Sequence, residues 1–264
     1  MTSPIQLVIP AAGVGSRFRN YGIATPKPLI EIGGFPMILW VISNFKLEAD
    51  DTVIIVCQRA EMLPDKLKGY LSSFTFKIFF IEIDGLTSGP ASTVEMALSK
   101  LKKDIPVIVA NSDQYISSDL TEFLFAVRGK NFSGTILTMH ASGNKWSYIG
   151  RDTQGRVNNV VEKRQISTEA TVGIYAWANP EILRDALQFL KVTNLLVNNE
   201  FYIAPSYNHL ISRRLDIGCI SVGIHGDTVH GLGTPEDLEE FLRHSHFNDC
   251  VNKMTAILVR NQLP

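Results

Sequence analysis

Residues 6–17 read QLVIPAAGVGSR, an apolar run that gives way to a glycine-containing loop. The run Gln6–Pro10 predicts a buried first strand. Gly13 and Gly15 lack a Cβ, so the backbone can approach a ligand there with its N–H groups free. A turn of this kind between a strand and a helix suits phosphate. The sequence therefore predicts nucleotide contacts from Ala11, Ala12, Gly13, Gly15 and Ser16.

Two cations follow the loop and strengthen its preference for phosphate. Arg17 offers a fork of donors that matches phosphate oxygens, and Lys27, within the sequence PKP, offers a compact charge. Together with the loop they predict a triphosphate cradle, although a generic glycine turn with two solvated cations has the same pattern. The GxxxxGK[ST] and GxGxxG patterns are both missing from the sequence, since Phe18 stands where the third glycine of the latter would be.

Short β-branched runs alternate with helical patterns in the first half of the chain. Thr52–Cys57, Lys77–Ile83 and Val107–Ala110 are typical of strands buried on both faces. Between them, Pro36–Phe45 and Pro90–Leu101 carry apolar residues at helical spacing behind a proline. This rhythm predicts an α/β fold, with a Rossmann-like, mostly parallel mixed sheet flanked by helices. The carboxyl ends of the strands would then lie on one rim, where ligands bind in such sheets.

The pattern changes in the second half of the chain. Thr135–Met139 and Val172–Trp177 predict strands, and Glu200–Ser212 and Pro235–His244 predict helices. We interpret this half as the side that binds an acceptor.

Length and composition restrict the class of protein. We expect a single domain over residues 1–264, with a nucleotide-binding half over 1–133 and a small acceptor-binding lobe over 134–264. The formal net charge of −1 provides no global basic field, so we expect no nucleic-acid partner. No apolar stretch approaches the roughly 20 residues of a membrane helix, and the N-terminus has no basic leader. We therefore expect neither a membrane partner nor a signal peptide.

The cysteines favour a reducing compartment. Cys57, Cys219 and Cys250 are odd in number and far apart, and they include no CxxC pair. This argues against a disulfide framework and predicts a cytoplasmic protein. The sequence leaves the oligomeric state open, and a homo-oligomer is compatible with it.

A specific resemblance appears when the loop and the later proline motif are taken together. Residues 13–17, GVGSR, followed by residues 26–28, PKP, resemble the GxG[ST]R…PKP signature of the sugar-phosphate nucleotidylyltransferases, the family of glucose-1-phosphate thymidylyltransferase. The resemblance implies that Arg17 and Lys27 are catalytic: the arginine would hold the leaving pyrophosphate, and the lysine would steady the reacting phosphates. Further motifs follow in the family's order over nearly the whole chain.

Two of these motifs concern the nucleotide and its metal. Residues 87–91, TSGPA, sit at a predicted helix start, where the family reads base and ribose through the backbone, which implies roles for Ser88, Gly89 and Ala91. An ordinary helix cap is the alternative. Asp113 follows the apolar strand Val107–Ala110, and a carboxylate there suits Mg²⁺, the cofactor that we expect. The alternative is that Asp113 is a common turn residue after a buried strand.

Other motifs concern the acceptor. The resemblance implies that Glu162 contacts acceptor hydroxyls, that Lys163 contacts the acceptor phosphate and that Gly173, in the G-I-Y strand, lies beside them. Glu200 stands near a position where the family often has a glutamate facing the acceptor. A solvated Glu–Lys pair is the alternative for the first two, and a helix cap formed by Asn199 with a first-turn acid is the alternative for Glu200.

One motif departs from the family. Where its members read Asp-x-Gly-Thr-Pro, with the aspartate as second protein ligand of Mg²⁺, residues 231–235 read GLGTP. Asp227 or His230 would be substitute ligands, or Asp113 would be joined by water and phosphates alone. We therefore expect Mg²⁺ to be held loosely, and Gly231→Asp to tighten it.

The expected function is that of a nucleotidyltransferase. It would join an NTP to a phosphorylated small molecule, a sugar 1-phosphate, and release pyrophosphate, in nucleotide-sugar synthesis for surface polysaccharide. A cytidylyltransferase for a phosphocholine-like acceptor is one alternative, since a set of aromatic residues could line the site: Trp146, Tyr148, Tyr175 and Trp177. A nucleotide-sugar-dependent glycosyltransferase and a non-catalytic nucleotide-binding protein are the others.

Overall fold

The computed structural model describes residues 3–260 and contains both strands and helices. The strands are β1 (Gln6–Pro10), β2 (Glu31–Ile32), β3 (Phe35–Pro36), β4 (Thr52–Gln58), β5 (Lys77–Ile83), β6 (Val107–Ala110), β7 (Gln114–Ile116), β8 (Gly134–His140), β9 (Ser147–Arg151), β10 (Val157–Glu162), β11 (Glu169–Trp177), β12 (Ile217–Ile224) and β13 (Val229–Gly231). The α-helices are α1 (Ser16–Asn20), α2 (Met37–Ser43), α3 (Leu63–Leu71), α4 (Pro90–Glu95), α5 (Thr121–Arg128), α6 (Pro180–Val192), α7 (Tyr207–Ser212), α8 (Pro235–Leu242) and α9 (Phe247–Arg260).

Within residues 3–260, nine strands form one mixed sheet. The order is β10-β9-β11-β6-β1-β4-β5, and β8 pairs with both β11 and β12. Strand β1 runs parallel to β4 and β6, and β4 runs parallel to β5. Strand β11 runs antiparallel to β6 and joins the second half of the chain to this parallel core. The predicted α/β class, with a mixed sheet flanked by helices, is confirmed.

Apolar side chains cover both faces of the sheet. Successive residues of a strand point to opposite faces. Leu7 and Ile9 of β1 therefore pack in one cluster with Trp40 of α2, and Val8 packs in another with Leu187 of α6. Helices on both faces bury the central strands completely, which explains why those strands are continuous apolar runs.

The fifth strand is less buried than the sequence predicts. We expected Lys77–Ile83 to be covered on both faces, but β5 is the edge of the sheet and Phe79 is 51% exposed. Because β5 is the last strand on its side, it has a neighbouring strand along only one edge, and all of its residues are exposed or partly exposed.

Three predicted helices are shorter than expected. The helix predicted over 200–212 begins with a 3₁₀ turn at Ala204–Ser206 and continues as α7, because the backbone of Phe201 pairs with Ser88 and Ala91 instead of forming a first helical turn. The helix predicted over 90–101 stops at Glu95, before a 3₁₀ turn at Leu98–Lys100, and α2 is also short. In the part of the chain that the structure describes, no helix combines the length and apolarity needed to cross a membrane.

A two-stranded sheet lies apart from the main one and brings distant segments together. Strand β7 pairs antiparallel with β13, with Gln114 opposite Gly231. The ladder is extended by a hydrogen bond of 2.8 Å from the Leu232 N–H to the Asp113 carbonyl. The residues that follow β6 are thereby fixed beside the entry to α8.

A buried ion pair ties the start of the sheet to α5. The Asp51 carboxylate is fully buried and accepts hydrogen bonds from the Ile5 N–H at 2.8 Å and the Glu48 N–H at 2.7 Å. The Arg128 guanidinium binds both of its oxygens, at 2.9 and 2.6 Å, and also donates to the Ser3 carbonyl at 2.7 Å. The guanidinium is the counter-ion of a carboxylate that water does not reach.

We expect Arg128→Ala to lower the free energy of unfolding by about 3–5 kcal/mol, because it leaves the Asp51 charge buried without its counter-ion. Urea denaturation monitored by circular dichroism measures this change. Lys103→Ala is the control, since Lys103 is 74% exposed and lies 3.7 Å from Glu181. Equal small losses in the two variants would show that the buried pair does not stabilise the fold.

Candidate functional site

A cavity of about 870 Å³ opens at the carboxyl ends of β1 and β6, the rim where the sequence predicts ligand binding. Most of the predicted site residues line it: Ala11, Ala12, Gly13, Gly15, Ser16, Arg17, Lys27, Gly89, Asp113, Glu162, Lys163, Gly173 and Glu200. Two predicted residues do not. Ala91 is buried beneath the turn, and Ser88 uses its carbonyl to accept the Phe201 N–H at 2.8 Å. The structure thus brings both predicted ends of the site into one space.

The two glycines of the first loop serve different purposes. Gly13 is exposed, and a Cβ added to it would meet no atom within 4 Å. Gly15 has a φ of +61°, and a Cβ there would lie 3.0 Å from the Lys27 Cβ. Gly15 is therefore required by the fold of the loop and its packing on Lys27. At Gly13 the space that a side chain would fill is open to the cavity.

Lys27 reaches across the cavity floor to the predicted metal ligand. It begins a 3₁₀ turn that Pro26 precedes, and its ammonium group makes an ion pair with the Asp113 carboxylate. The two side chains are 18% and 24% exposed. Arg17, the second residue of the short α1, lies exposed and also lines the cavity. This end of the cavity therefore combines cations with a carboxylate and the glycine loop.

The turn before α4 packs directly on the segment around Phe201. Gly89 has a φ of +115°, and a Cβ there would lie 2.7 Å from the backbone nitrogen of Phe201. Phe201 also accepts the Ala91 N–H at 3.0 Å. This close backbone approach explains the glycine and fixes the segment that carries Glu200.

A second close approach occurs in the middle of β11. The pairing of β11 with β8 is irregular between Thr171 and Tyr175, and Gly173, with a φ of +81°, lies within the irregularity. Its carbonyl accepts the Asn111 N–H at 2.9 Å, and an added Cβ would overlap the side chains of Asn111 and Gln114. Such bulges redirect strands beside binding sites. Here the bulge lets β11 lie against the residues that follow β6.

Lys163 is held by a tyrosine that the sequence prediction did not include. Its ammonium group donates to the Tyr202 hydroxyl, which in turn donates to Glu200 at 2.6 Å. Lys163 itself has a φ of +54°, in the left-handed region that a residue with a side chain seldom adopts. The backbone conformation and the Tyr202 contact together aim this cation into the cavity.

Glu162 is partly withdrawn from water. Its carboxylate accepts a hydrogen bond from the Ser147 hydroxyl. Burial raises the pKa of Glu162, while the Ser147 bond and the neighbouring Lys163 act in the opposite direction. Glu162 and Glu200 therefore flank Lys163 with two carboxylates suited to binding hydroxyl groups.

Neither substitute metal ligand that the sequence suggested lines the cavity. His230 is 4% exposed and stacks on Tyr115, and burial lowers its pKa to about 4. Asp227 lies in the connection between β12 and β13. Among residues 3–260, no three His, Cys, Asp or Glu side chains are grouped as a metal site.

Several residues that line the cavity were not predicted from the sequence. Lys145 and Asp237 form an ion pair at 2.8 Å across the rim, although 92 residues separate them. In the sequence, Asp237 is simply an acid near the start of the helix predicted over Pro235–His244, which is a common feature of helices. Of the aromatic residues considered for an acceptor site, Trp146 and Tyr175 line the cavity, and Tyr148 and Trp177 belong to the core.

Known proteins resemble the chain in both sequence and fold. It is 34% identical over 187 residues to a mannose-1-phosphate guanyltransferase of Kluyveromyces lactis, with 67% of this chain and 50% of the relative covered. It is 33% identical over 187 residues to a mannose-1-phosphate guanyltransferase of Saccharomyces cerevisiae, with the same coverage. The chain thus spans about half the length of the curated relatives it matches.

A solved structure and a family model extend this likeness. A nucleoside-diphosphate-sugar pyrophosphorylase from Vibrio cholerae superposes with a TM-score of 0.76 and 25% identity, over 90% of this chain and 100% of that one. The family model described as "Nucleotidyl transferase" matches residues 6–199, which include the glycine loop, Lys27, Asp113 and Lys163. The chain belongs to the nucleotidyl transferase family.

Proposed function

We propose that this protein is an enzyme that joins an NTP to a phosphorylated small molecule, a sugar 1-phosphate, and releases pyrophosphate. The observation that carries the proposal is that one cavity holds a phosphate-binding loop with Arg17 and Lys27 at one end, and Lys163 between two carboxylates at the other. Two anionic substrates can thus be bound next to each other. The relatives named for nucleotide and sugar-phosphate chemistry support the same reaction.

The reaction is an in-line displacement at phosphorus. An oxygen of the acceptor phosphate forms a bond to the α-phosphorus of the NTP. The bond from that phosphorus to the oxygen bridging toward the β-phosphate breaks, and its electron pair leaves with pyrophosphate. Because the nucleophile is already an anion, no side chain has to remove a proton from it. Catalysis then consists of positioning and charge neutralisation.

Each end of the cavity contributes separately to this. The free N–H groups around Gly13 bind phosphate oxygens, Arg17 binds the pyrophosphate as it leaves, and Lys27 binds the reacting phosphates. Lys163 binds the acceptor phosphate, and Glu162 and Glu200 accept hydrogen bonds from acceptor hydroxyls. Residues 1–133 thus act as the nucleotide half and residues 134–264 as the acceptor half.

Asp113 suits the Mg²⁺ on which we propose the reaction depends. Its carboxylate faces the cavity and already holds a cation, the ammonium group of Lys27. Carboxylate and phosphate oxygens are the ligands that Mg²⁺ prefers. When bound there, Mg²⁺ would neutralise charge on the phosphate oxygens.

The lining of the acceptor end favours a sugar over a quaternary amine. Trp146, which could stack on a cationic head, is 9% exposed and already contacts Lys145 and His225. The wall around Lys163 includes Ser147, Glu162 and Glu200, whose side chains can form hydrogen bonds with the hydroxyl groups of a sugar. The product would be a nucleotide sugar for surface polysaccharide, made in the cytoplasm, where the free Cys57, Cys219 and Cys250 thiols stay reduced.

The direct test supplies the four NTPs with a panel of sugar 1-phosphates and phosphocholine, and measures pyrophosphate release. We expect turnover with at least one sugar 1-phosphate, and its loss with excess chelator. Lys27→Ala should lower kcat/KM, because a preorganised charge is removed. The loss should correspond to about 2–4 kcal/mol of transition-state stabilisation. The proposal would be refuted if phosphocholine were the best acceptor. It would also be refuted if pyrophosphate were still released in excess chelator.

The two loop glycines give a second test. We expect Gly13→Ala to leave the free energy of unfolding equal or slightly higher, because the space is open, yet to weaken nucleotide binding, because the methyl group stands where phosphate approaches. Gly15→Ala should instead lower the free energy of unfolding by about 1–2 kcal/mol, because its φ is left-handed. Urea denaturation and calorimetric titration with the preferred NTP measure both effects. If Gly13→Ala bound the nucleotide as tightly as the wild-type chain does, the loop would not be part of the nucleotide site.

A third test addresses the acceptor end. Lys163→Ala should raise the KM for the acceptor on the order of tenfold or more and change the nucleotide KM little, because the lost cation faces the acceptor phosphate. Tyr202→Phe keeps the ring but removes the hydroxyl that Lys163 contacts, so it should raise the same KM by a smaller factor. Steady-state kinetics with each substrate varied in turn measures this. Equal increases for both substrates would show that Lys163 does not act on the acceptor.

A further inference from the structure

A second carboxylate lines the cavity on a segment that is hydrogen-bonded to Asp113. Asp237, in the first turn of α8, lines the same cavity as Asp113, and its side chain is 17% exposed. The small sheet of β7 and β13 brings the two segments together, since the Leu232 N–H donates to the Asp113 carbonyl at 2.8 Å. The Thr234 hydroxyl accepts the Asp237 N–H at 3.1 Å and fixes the helix start. Asp237 is thus held in place by backbone structure on both sides.

Gly231 makes room for this carboxylate. A Cβ added to Gly231 would lie 3.2 Å from both the Cγ and the Oδ2 of Asp237. The φ of Gly231 is not in the left-handed region, so backbone conformation does not require a glycine there. The space toward which a side chain at position 231 would project is instead filled by the acid that α8 supplies. Gly233, two residues on, faces the carboxylate of Asp113 in the same way.

Both carboxylates already hold cations. Lys27 pairs with Asp113, and Lys145 pairs with Asp237 at 2.8 Å. The two lysines come from different halves of the chain, and both ion pairs line the same cavity. Each ammonium group thus marks a place where the site accommodates positive charge.

An unpartnered oxygen lies in the same wall. Gln114 is 7% exposed and lines the cavity, and its Oε1 has no hydrogen-bond partner among the described residues. Gln114 follows Asp113 in the chain and stands opposite Gly231 in the ladder. An unpaired buried amide oxygen is costly unless a ligand or ion satisfies it. This oxygen lies beside Gly173, where an added Cβ would lie 2.6 Å from it, so the cavity lining holds an unsatisfied oxygen in addition to the two carboxylates.

We propose that Asp237 supplies the second carboxylate for the Mg²⁺ that Asp113 binds, in place of any side chain at position 231. This inference rests on the proposed function, because it concerns the metal of that reaction. Two carboxylates on neighbouring segments offer the hard oxygen ligands that Mg²⁺ accepts beside water and phosphate. Lys145 is then the counter-ion of Asp237 when the metal is not bound.

A different role for Asp237 would give different results. If it only orients Lys145 toward a substrate phosphate, the carboxylate has no part in metal binding. Removing Lys145 then leaves metal affinity unchanged. If Asp237 binds the metal, Lys145 competes with the ion, and its removal strengthens metal binding. The sign of the Lys145 effect therefore separates the two roles.

The test titrates the full chain with Mn²⁺ alone and follows the free ion by electron paramagnetic resonance. We expect Asp237→Asn to weaken Mn²⁺ binding roughly tenfold, because one carboxylate is lost from the site. Glu236→Gln is the matched control: it removes the same charge from the same helical turn, and Glu236 is exposed. It should change the affinity less than twofold. Thermal denaturation checks that the variants are folded.

Two further variants make the result specific. Lys145→Met should strengthen Mn²⁺ binding severalfold, and it answers the question even if Asp237→Asn does not fold. Gly231→Asp should not strengthen binding in the wild-type chain, contrary to what the sequence alone suggests, because the added carboxylate would crowd Asp237. In an Asp237→Ala background, which removes the group that the new side chain would crowd, the same substitution should restore binding.

The outcomes separate this inference from the proposed function. Suppose that Asp113→Asn weakens Mn²⁺ binding while Asp237→Asn and Lys145→Met leave the affinity within twofold of wild type. In that case Asp237 is not a ligand, and the inference is refuted without affecting the proposed function. If Asp113→Asn also has no effect, the proposed metal site falls with it. Pyrophosphate release, measured separately, then decides whether the enzyme assignment stands.

Discussion

Strand β11 lies antiparallel to β6, with Ile174 opposite Ala110 and Trp177 opposite Val107, and the bulge at Gly173 lets this pairing extend to Asn111. The pairing joins the two halves of the chain and sets the distance between the ends of the cavity. A side chain at Gly173 would push β11 away from the residues that follow β6. Glu162 on β10 and Glu200 after β11, which we propose bind the acceptor, depend on this contact for their place opposite the glycine loop.

The cavity balances its own charge before any substrate arrives. Its charged lining, among the residues described, consists of four cations and four anions: Arg17, Lys27, Lys145, Lys163, Asp113, Glu162, Glu200 and Asp237. Each of the three lysines contacts either a carboxylate or the hydroxyl of Tyr202. Phosphate must therefore displace existing partners, so part of its attraction to the lysines is offset by the contacts it breaks. The side chains, in return, are already ordered before binding, which lowers the entropy cost.

The sequence predicted features that depend on neighbouring residues better than those that depend on distant ones. The first strand and its glycine loop follow from a short pattern, as does the start of α8 at Thr234 and Pro235. The helix predicted from Glu200 was wrong in its first turn, because the backbone there pairs with the loop around Gly89. The Lys145–Asp237 pair could not be predicted, since its partners become neighbours only when β13 docks on β7.

The backbone contact between Gly89 and Phe201 has a consequence for the order of events at the site. The turn at Gly89, which we propose lies beside the nucleotide, shares two backbone hydrogen bonds with the segment that carries Glu200, so neither can shift without the other. If a nucleotide binds as proposed and draws the turn inward, Glu200 moves with it, and an acceptor would meet a different surface after the nucleotide than before it. Such coupling is reciprocal: an acceptor that binds better after the nucleotide must in turn slow the nucleotide's escape or speed its entry.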